Sequence, residues 1–265
     1  LQGTRIVSDE LIRLRREKIE ALRAQGVNPY PYRYRTTHSC AQVHEGFDRL
    51  AESKEEVTVA GRIMLMRVMG KATFLTVEDR DARLQFYIRK DHVGDDAYAI
   101  VKKQLDIGDF VGARGAVFTT RTGEQSLDVT GIDLLCKSLK PLPEKYHGLV
   151  DKEIRYRRRE VDLVMNADVR RTFVTRSRII AAVRDFMRSR GFLEVETPLI
   201  QFVYGGAEAR PFVTHIKALD VDAFLSIAPE LYLKRLIVGG MERVFTIAKN
   251  FRNEGIDRTH NPEFT

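Results

Sequence analysis

The segment VTVAGRIMLMRVMGKATFLTVEDRDARLQFYIR, residues 57–89, decides the fold of the first half of this chain. Its apolar residues recur with a period of two and are rich in Val, Ile, Phe and Thr, the pattern of strands that bury one face. It divides into strands at 57–68, 73–79 and 84–89, and Asp79-Arg80-Asp81 marks the turn between the second and third. Two further strands follow at 110–119 and 126–136. Between the third and fourth strands the pattern becomes helical over about 95–105, and Gly108-Asp109 ends that connection.

Five strands with a helix after the third is the layout of an OB-fold, a small barrel that often binds oligonucleotides on the face of its second and third strands. Other small barrels give similar spacing. The expected fold class is α+β: an OB-fold five-stranded β-barrel, followed by the start of an antiparallel sheet with flanking helices. Upstream, Ser8 reads as a helix cap with Asp9 and Glu10 in the first turn, and the helix is expected to stop at Gly26. Leu11, Leu14, Ile19 and Leu22 supply its apolar contacts, and Arg13, Arg15, Arg16, Lys18 and Arg23 make the rest basic. These charges read either as a solvated face or as contacts to RNA phosphates.

The length of 265 residues suits two ordinary domains, and 43% apolar with 31% charged residues excludes a disordered chain. A net charge of +7 suits a polyanionic partner without identifying one. Cys40 and Cys136 form no CxxC pair, so neither a disulfide framework nor a Cys-rich zinc site is expected, and a reducing cytoplasm is the default compartment. No apolar run is long enough to span a bilayer, so no membrane association is expected. The first ten residues lack a secretory apolar core. The chain opens on Leu1 and stops at Thr265 within a polar run, which reads as a fragment.

The expected organisation is a basic helix and lead-in at 1–55, the barrel at 56–140, a linker at 141–155 and a second, incomplete domain at 156–265. Pro141 and Pro143 stiffen the linker. In the second domain a long helix is expected over about 168–190, ended by Gly191, then a strand at 192–196 closed by Thr197-Pro198. A shorter helix follows at about 230–238, then strands at 243–248 and 251–254.

The closing stretch, NFRNEGIDRTHNPEFT at 250–265, carries the most chemistry. Arg252 and Glu254 are two apart, so on a strand both side chains leave the same face. A polar loop with Arg258 and His260 follows, then the aromatic Phe264. Such a set can hold ATP, with Arg on phosphate, a carboxylate on an exocyclic amine and a ring face on the base. A surface hairpin with an ordinary ion pair is the plainer reading.

This stretch resembles motif 2 of class II aminoacyl-tRNA synthetases, in the wording of the lysyl enzymes. RSRGFLEVETP at 188–198 resembles motif 1 of the same class. GGAEARPF at 205–212 and IAPELYLK at 227–234 also resemble lysyl-tRNA synthetases, whereas the aspartyl and asparaginyl relatives carry different words there. The resemblance implies activation of L-lysine by ATP with Mg2+, then transfer to the 3′ end of tRNA(Lys), by a homodimer. Arg252 would grip the ATP α-phosphate and the lysine carboxylate, Glu254 would accept from the adenine amino group, Phe264 would stack on adenine, and His260 and Asn261 would lie beside the nucleotide. Gly206, through its carbonyl, and Glu230 would bind the lysine α-amino group; a plain turn and a helix N-terminal acid are their alternative readings. In the barrel, Arg67, Phe74 and Gln85 would read the central anticodon uridine, with Phe74 stacking the base and Gln85 bonding its edge, unless Phe74 belongs to the core.

Motif 3, the magnesium carboxylates and the lysine side-chain pocket of the family have no counterpart up to Thr265, so no metal ligand is expected in 1–265 and the fragment alone is expected to be inactive. The rival expectations are an aspartyl- or asparaginyl-type enzyme and a non-catalytic tRNA-binding protein. Two positions depart from the family wording: Ser226 stands where it has Arg, and Thr246 where it has Glu. If the two charges were lost as a pair, Ser226 and Thr246 should be neighbours on adjacent strands.

Overall fold

The computed structural model describes residues 2–143, 149 and 151–265. They form two units, Leu1–Val161 and Asp162–Thr265. Among the described residues no helix is long and apolar enough to cross a membrane.

In the first unit, helix α1 (Gln2–Ala24) precedes two short helices, α2 (Cys40–Glu45) and α3 (Phe47–Ser53). Strands β1 (Val57–Met69), β2 (Ala72–Glu78) and β3 (Arg83–Arg89) form a meander. Helices α4 (Lys90–Val93) and α5 (Asp95–Lys103) lead to β4 (Phe110–Thr119) and β5 (Gln125–Cys136). The strands close in the order β1-β2-β3-β5-β4, antiparallel except for the β3–β5 pair. This is the barrel expected from the period-two segments. Closure needs β1 to serve two partners. Residues 57–62 pair with β4 and residues 62–69 with β2, and a bulge between Ile63 and Leu65 bends the strand where it changes neighbours. Where β4 bulges between Arg114 and Gly115, a Cβ on Gly115 would lie 2.0 Å from the Asp128 carbonyl oxygen, so only glycine fits.

Alternation puts Ile63, Leu75, Val77, Leu84, Phe86, Ile88, Val111, Leu127 and Val129 inside, all essentially inaccessible. Cys40, Val43 and Leu50 from α2 and α3, Val101 from α5 and Leu22 from α1 join the same core. Ser39 caps α2 with a complete capping box, its side chain accepting from Gln42 N while the Gln42 side chain accepts from Ser39 N.

Helix α1 begins before Ser8, which lies inside it; nothing in residues 2–7 interrupts a helix as proline would. Its basic residues also divide by role. Arg15 is buried and donates to the carbonyls of Ser138 and Ile107 at 2.8 and 3.0 Å. Lys18 donates to Asp106 at 2.7 Å. Both are therefore committed to the fold rather than free for phosphate. Lys137 has a wholly buried side chain and bonds Asp106, Asp109 and the Gln104 carbonyl. A buried ammonium is tolerated here because its donors all meet acceptors. Ser138 N donates to Asp109, so the chain leaving β5 is still part of this packing. Residues 144–148 and 150 of the expected linker lie outside the described residues. Helices α6 (Lys152–Arg157) and α7 (Arg159–Met165) follow, and the division between the units falls within α7.

The second unit opens with the long helix α8 (Ala167–Ser189), close to the expected span. After it come β6 (Leu193–Glu194), β7 (Ile200–Gln201), β8 (Val213–Ile216), β9 (Val221–Leu225), α9 (Glu230–Val238), β10 (Val244–Phe245), β11 (Asn250–Phe251) and β12 (Glu263–Phe264). They form a three-stranded antiparallel sheet β7-β9-β8 and the pairs β6–β10 and β11–β12. The strands expected at 192–196, 243–248 and 251–254 are shorter here. An extended segment ladders only where a neighbour takes up its N–H and C=O groups, and the β6–β10 register covers two residues on each side. That pair is parallel, in contrast to the antiparallel expectation.

Candidate functional site

The barrel presents an outward row across its strands. Arg67 of β1 pairs with Phe74 of β2, Phe74 with Tyr87 of β3, and Tyr87 with Asp128 of β5. A second row on the same face runs Thr76, Gln85, Ser126, Phe118. Phe74 is half-buried on this face and is not a core residue; its ring stacks on Tyr87 at 4.7 Å between centroids. Phe118 continues the aromatic surface, 5.8 Å from Tyr87. Gln85 Nε2 donates to Ser126 Oγ at 2.9 Å, which orients the amide, and Arg67 is exposed beside Phe74. Arg67, Phe74, Gln85, Tyr87 and Phe118 together line an open groove of about 690 Å3. The structure thus brings together all three residues singled out in the sequence. Tyr87 and Phe118 were missed. Tyr87 stands two after Gln85 on one strand, so the period-two rule alone places it on the same face.

In the second unit the residues of interest are tied by backbone hydrogen bonds. Phe251 N donates to the Ser226 carbonyl at 2.8 Å, joining the start of motif 2 to the segment leading into α9. Asn253 N donates to the Arg210 carbonyl at 2.8 Å, and Arg210 N donates to Glu254 Oε1 at 3.2 Å. Loop 205–212 is therefore held against residues 252–254. Gly206 adopts φ +86°, a backbone conformation open chiefly to glycine. It lies against Glu230 in the first turn of α9, and Glu230 also pairs with Lys234.

Arg252 lies with its guanidinium carbon 5.1 Å from the centre of the Phe264 ring, a cation–π distance. The β11–β12 pairing makes this contact, with Asn250 opposite Phe264 and Arg252 N donating to the Pro262 carbonyl. The Arg252 Nε is buried and has no hydrogen-bond partner among the described residues. Arg252 and Glu254 form no ion pair among the described residues, so the plain hairpin pair does not describe this segment. Past β11 the chain leaves the strand, and Glu254 turns to Arg210 instead.

His260 and Asn261 are exposed on the intervening turn. The Asp257 carboxylate organises that turn, accepting from Thr259 N at 2.7 Å, from His260 N at 2.8 Å and from the His260 ring. The Thr259 N–H, the His260 ring and the His260 N–H hold the Asp257 carboxyl well below the usual range. No side-chain hydrogen bond or ion pair links His260 or Asn261 to Arg252 among the described residues, so the structure leaves these two apart from the rest.

Ser226 and Thr246 are not paired. Ser226 is buried, its hydroxyl donates to the Ala228 carbonyl, and its own carbonyl receives Phe251 N. Thr246 follows β10, which among the described residues pairs only with β6. The strand facing Ser226 is reached five residues after Thr246, so the expectation of neighbouring replacements fails.

Residues 151–265 match the family model described as "tRNA synthetases class II (D, K and N)", and residues 57–135 match an "OB-fold nucleic acid binding domain". The chain is similar to the heat-inducible lysine–tRNA ligase of Escherichia coli (strain K12), 55% identical over 97% of this chain and 52% of that protein. It is also similar to the lysine–tRNA ligase of Salmonella newport (strain SL254), 53% identical over 96% and 51%, and to that of Pasteurella multocida (strain Pm70), 52% identical over 95% and 51%. The chain spans about half the length of the curated relatives it matches.

Proposed function

We propose that the chain is part of a class II lysyl-tRNA synthetase and that it serves the ATP-dependent activation of L-lysine and its transfer to the 3′ end of tRNA(Lys). The observation that carries the chemical half is the hydrogen-bonded convergence of loop 205–212, the head of α9 and the β11–β12 hairpin, with Gly206 against Glu230 and Arg252 over Phe264.

In this reading the lysine α-amino group lies between the Gly206 carbonyl and the Glu230 carboxylate. The glycine leaves room for close approach, and the carboxylate balances the ammonium charge. Arg252 faces the reacting groups. The buried, unpartnered Nε and the adjacent ring fit a site that takes a phosphate and a planar base. The lysine carboxylate attacks the α-phosphorus of ATP and the bond to pyrophosphate breaks, leaving lysyl-adenylate. The terminal tRNA hydroxyl then takes the lysyl group and AMP leaves. Arg252 stabilises the charge that builds at phosphorus, and because little proton transfer is needed, positioning and fixed charge do most of the catalysis. Glu254, held by Arg210 N, keeps a second oxygen for the adenine amino group. His260 and Asn261 would come to the nucleotide through movement of the 257–260 turn. Mg2+ enters with the ATP phosphates. Among the described residues no three His, Cys, Asp or Glu side chains converge as a metal site, and none is proposed as its ligand.

The barrel groove supplies selection, with Phe74 stacking the central anticodon base, Gln85 bonding its edge and Arg67 on the neighbouring phosphate. A homodimer through α8 completes the reading: Val174, Ile179, Val183 and Phe186 are each roughly half exposed, apolar surface that a two-fold partner would cover. The compartment is the cytoplasm, which suits two free cysteines. Amino-acid-dependent exchange of pyrophosphate into ATP, measured on a protein that carries this chain together with the remaining half found in its relatives, tests the proposal. Exchange stimulated by lysine is expected; exchange stimulated by aspartate or asparagine and not by lysine would overturn it.

A further inference from the structure

The segment entering the barrel, NPYPYRYRTT at 28–37, interleaves aromatic and basic residues, and the groove just described uses none of it. It is an extended strap pinned along its length. Asn28 Oδ1 accepts from Tyr30 N at 3.0 Å, Pro29 is buried, and the Tyr30 hydroxyl donates to the Lys137 carbonyl at 3.2 Å. Tyr34 lies flat on β4, so close to Gly112 that a Cβ there would be 2.3 Å from the ring. Burial, then the Asp133 carboxylate, pushes the Tyr34 phenol up to about 12, so it stays neutral there. Thr37 closes the strap with two bonds to Thr58: its N donates to the Thr58 carbonyl and its hydroxyl accepts from Thr58 N, each at 2.9 Å.

Between these anchors lie three exposed side chains. Tyr32 is 100% exposed, and Arg33 and Arg35 are exposed on either side of Tyr34. Neither arginine forms an ion pair among the described residues. Asp133 lines the same cavity as Arg33 and Tyr34 but forms an ion pair with neither arginine among the described residues. A fully solvated aromatic ring next to two unpaired guanidiniums, on backbone already fixed, contributes nothing visible to the fold. It is pre-organised for a ligand that offers a planar π-face together with negative charge.

We propose that this strap is a second RNA-contact surface of the barrel, in which Tyr32 stacks on an unpaired base and Arg33 and Arg35 sit on the flanking phosphates. The proposal rests on the tRNA reading above. The surface is separate from the anticodon groove: the strap covers β4 at Gly112, whereas the groove uses Phe118 of the same strand. At about 3.3 Å per residue the two lie roughly 20 Å apart along the strand, within reach of one folded RNA. The contacts are to backbone charge and to the face of any base, so they carry affinity and no sequence preference.

The test measures binding of the whole protein to tRNA(Lys) and to a non-cognate tRNA over a range of salt. Tyr32→Ala is expected to weaken both RNAs about tenfold or more, the order of one lost stack. Arg33→Gln with Arg35→Gln should lower the slope of log affinity against log salt by about 1.5 to 2, at roughly 0.7–0.9 per phosphate contact. Thermal unfolding should be unchanged, since all three side chains are exposed. Binding of both RNAs within twofold of wild type by Tyr32→Ala, with an unaltered slope for the double variant, would overturn the proposal, as would an equal loss that tracks a lowered Tm. Failure of the tRNA(Lys) reading is seen separately, as wild-type protein that does not distinguish cognate from non-cognate tRNA.

Discussion

Gly206 and Glu230 are in contact so close that a Cβ on Gly206 would come within 2.8 Å of the Glu230 Cβ. Gly206 also holds φ +86°, so Gly206→Ala combines a clash with a strained backbone. That strain is worth about 1–3 kcal/mol. The KM for lysine in pyrophosphate exchange is expected to rise about tenfold or more, with a smaller change in the KM for ATP. Gly205→Ala provides the contrast. There the added Cβ meets the Leu231 Cδ1 at 2.9 Å, the end of a flexible side chain, and the effect should be clearly milder. Equal kinetics for the two variants would remove Gly206 from the proposed lysine site.

Phe74 and Gln85 occupy neighbouring rows of the barrel groove. Phe74→Ala or Gln85→Ala should weaken discrimination at the central anticodon base by roughly ten- to a hundredfold, the order of one stacked base. Lysine activation without tRNA should be unchanged. The comparison is of kcat/KM for aminoacylation of wild-type tRNA and a central-base variant. Equal charging of both by the unaltered enzyme would show that the groove does not read that base. Ser126→Ala, which frees the Gln85 amide from its 2.9 Å partner, should produce a weaker form of the same defect.

Asp79 accepts from the backbone N–H groups of Cys40, Asp81 and Ala82 at 2.7–2.9 Å, tying α2 to the β2–β3 turn. Burial by itself would push its carboxyl up, but the three N–H donors outweigh it and the net direction is down. A carboxyl depressed in the folded state adds stability above its unfolded pKa and loses it as pH falls through the folded one. Asp79→Ala should therefore cost about 2–3 kcal/mol at neutral pH, the worth of charge-assisted bonds plus stranded donors. Denaturant unfolding of the barrel should show this deficit shrinking below about pH 4. A deficit that stays constant down to pH 2 would contradict the assignment.

The exposed apolar side of α8 predicts self-association. Ile179 is 59% and Phe186 55% exposed, among other half-exposed apolar side chains on the helix. Replacing both with Glu should raise the dimer dissociation constant by at least a hundredfold in sedimentation equilibrium, because it buries charge in the interface. The barrel core draws no residue from α8, so anticodon-arm binding by each chain should persist. A wild-type mass equal to one chain would rule out the dimer.

The barrel was legible because its rule is local. A strand that buries one face must alternate, so 57–89 announced three strands before any contact was known, and the loop with its helix after the third strand narrowed the topology. The long helix α8 and the shorter α9 were equally readable from their period and their glycine stops. Legibility failed where an interaction joins residues distant in sequence. Arg15 and Lys18 look like their solvated neighbours on α1. Their commitment to Ser138, Ile107 and Asp106 depends on how α1 docks about 90 to 125 residues away, which no local period encodes.

In the second unit the sequence by itself determined which residue types the chain carries at its chemical positions, through four ordered motifs, and it placed Gly206, Glu230, Arg252 and Phe264 among them. Tertiary structure alone decided that Gly206 abuts Glu230, that Arg252 lies over Phe264, that Glu254 answers Arg210 rather than Arg252, and that Ser226 faces Phe251 and not Thr246. The physical reason is reach. Side-chain chemistry and period are properties of short segments, whereas a hydrogen bond spanning 44 residues, as from Arg210 to Glu254, exists only after the backbone has folded both ends into place.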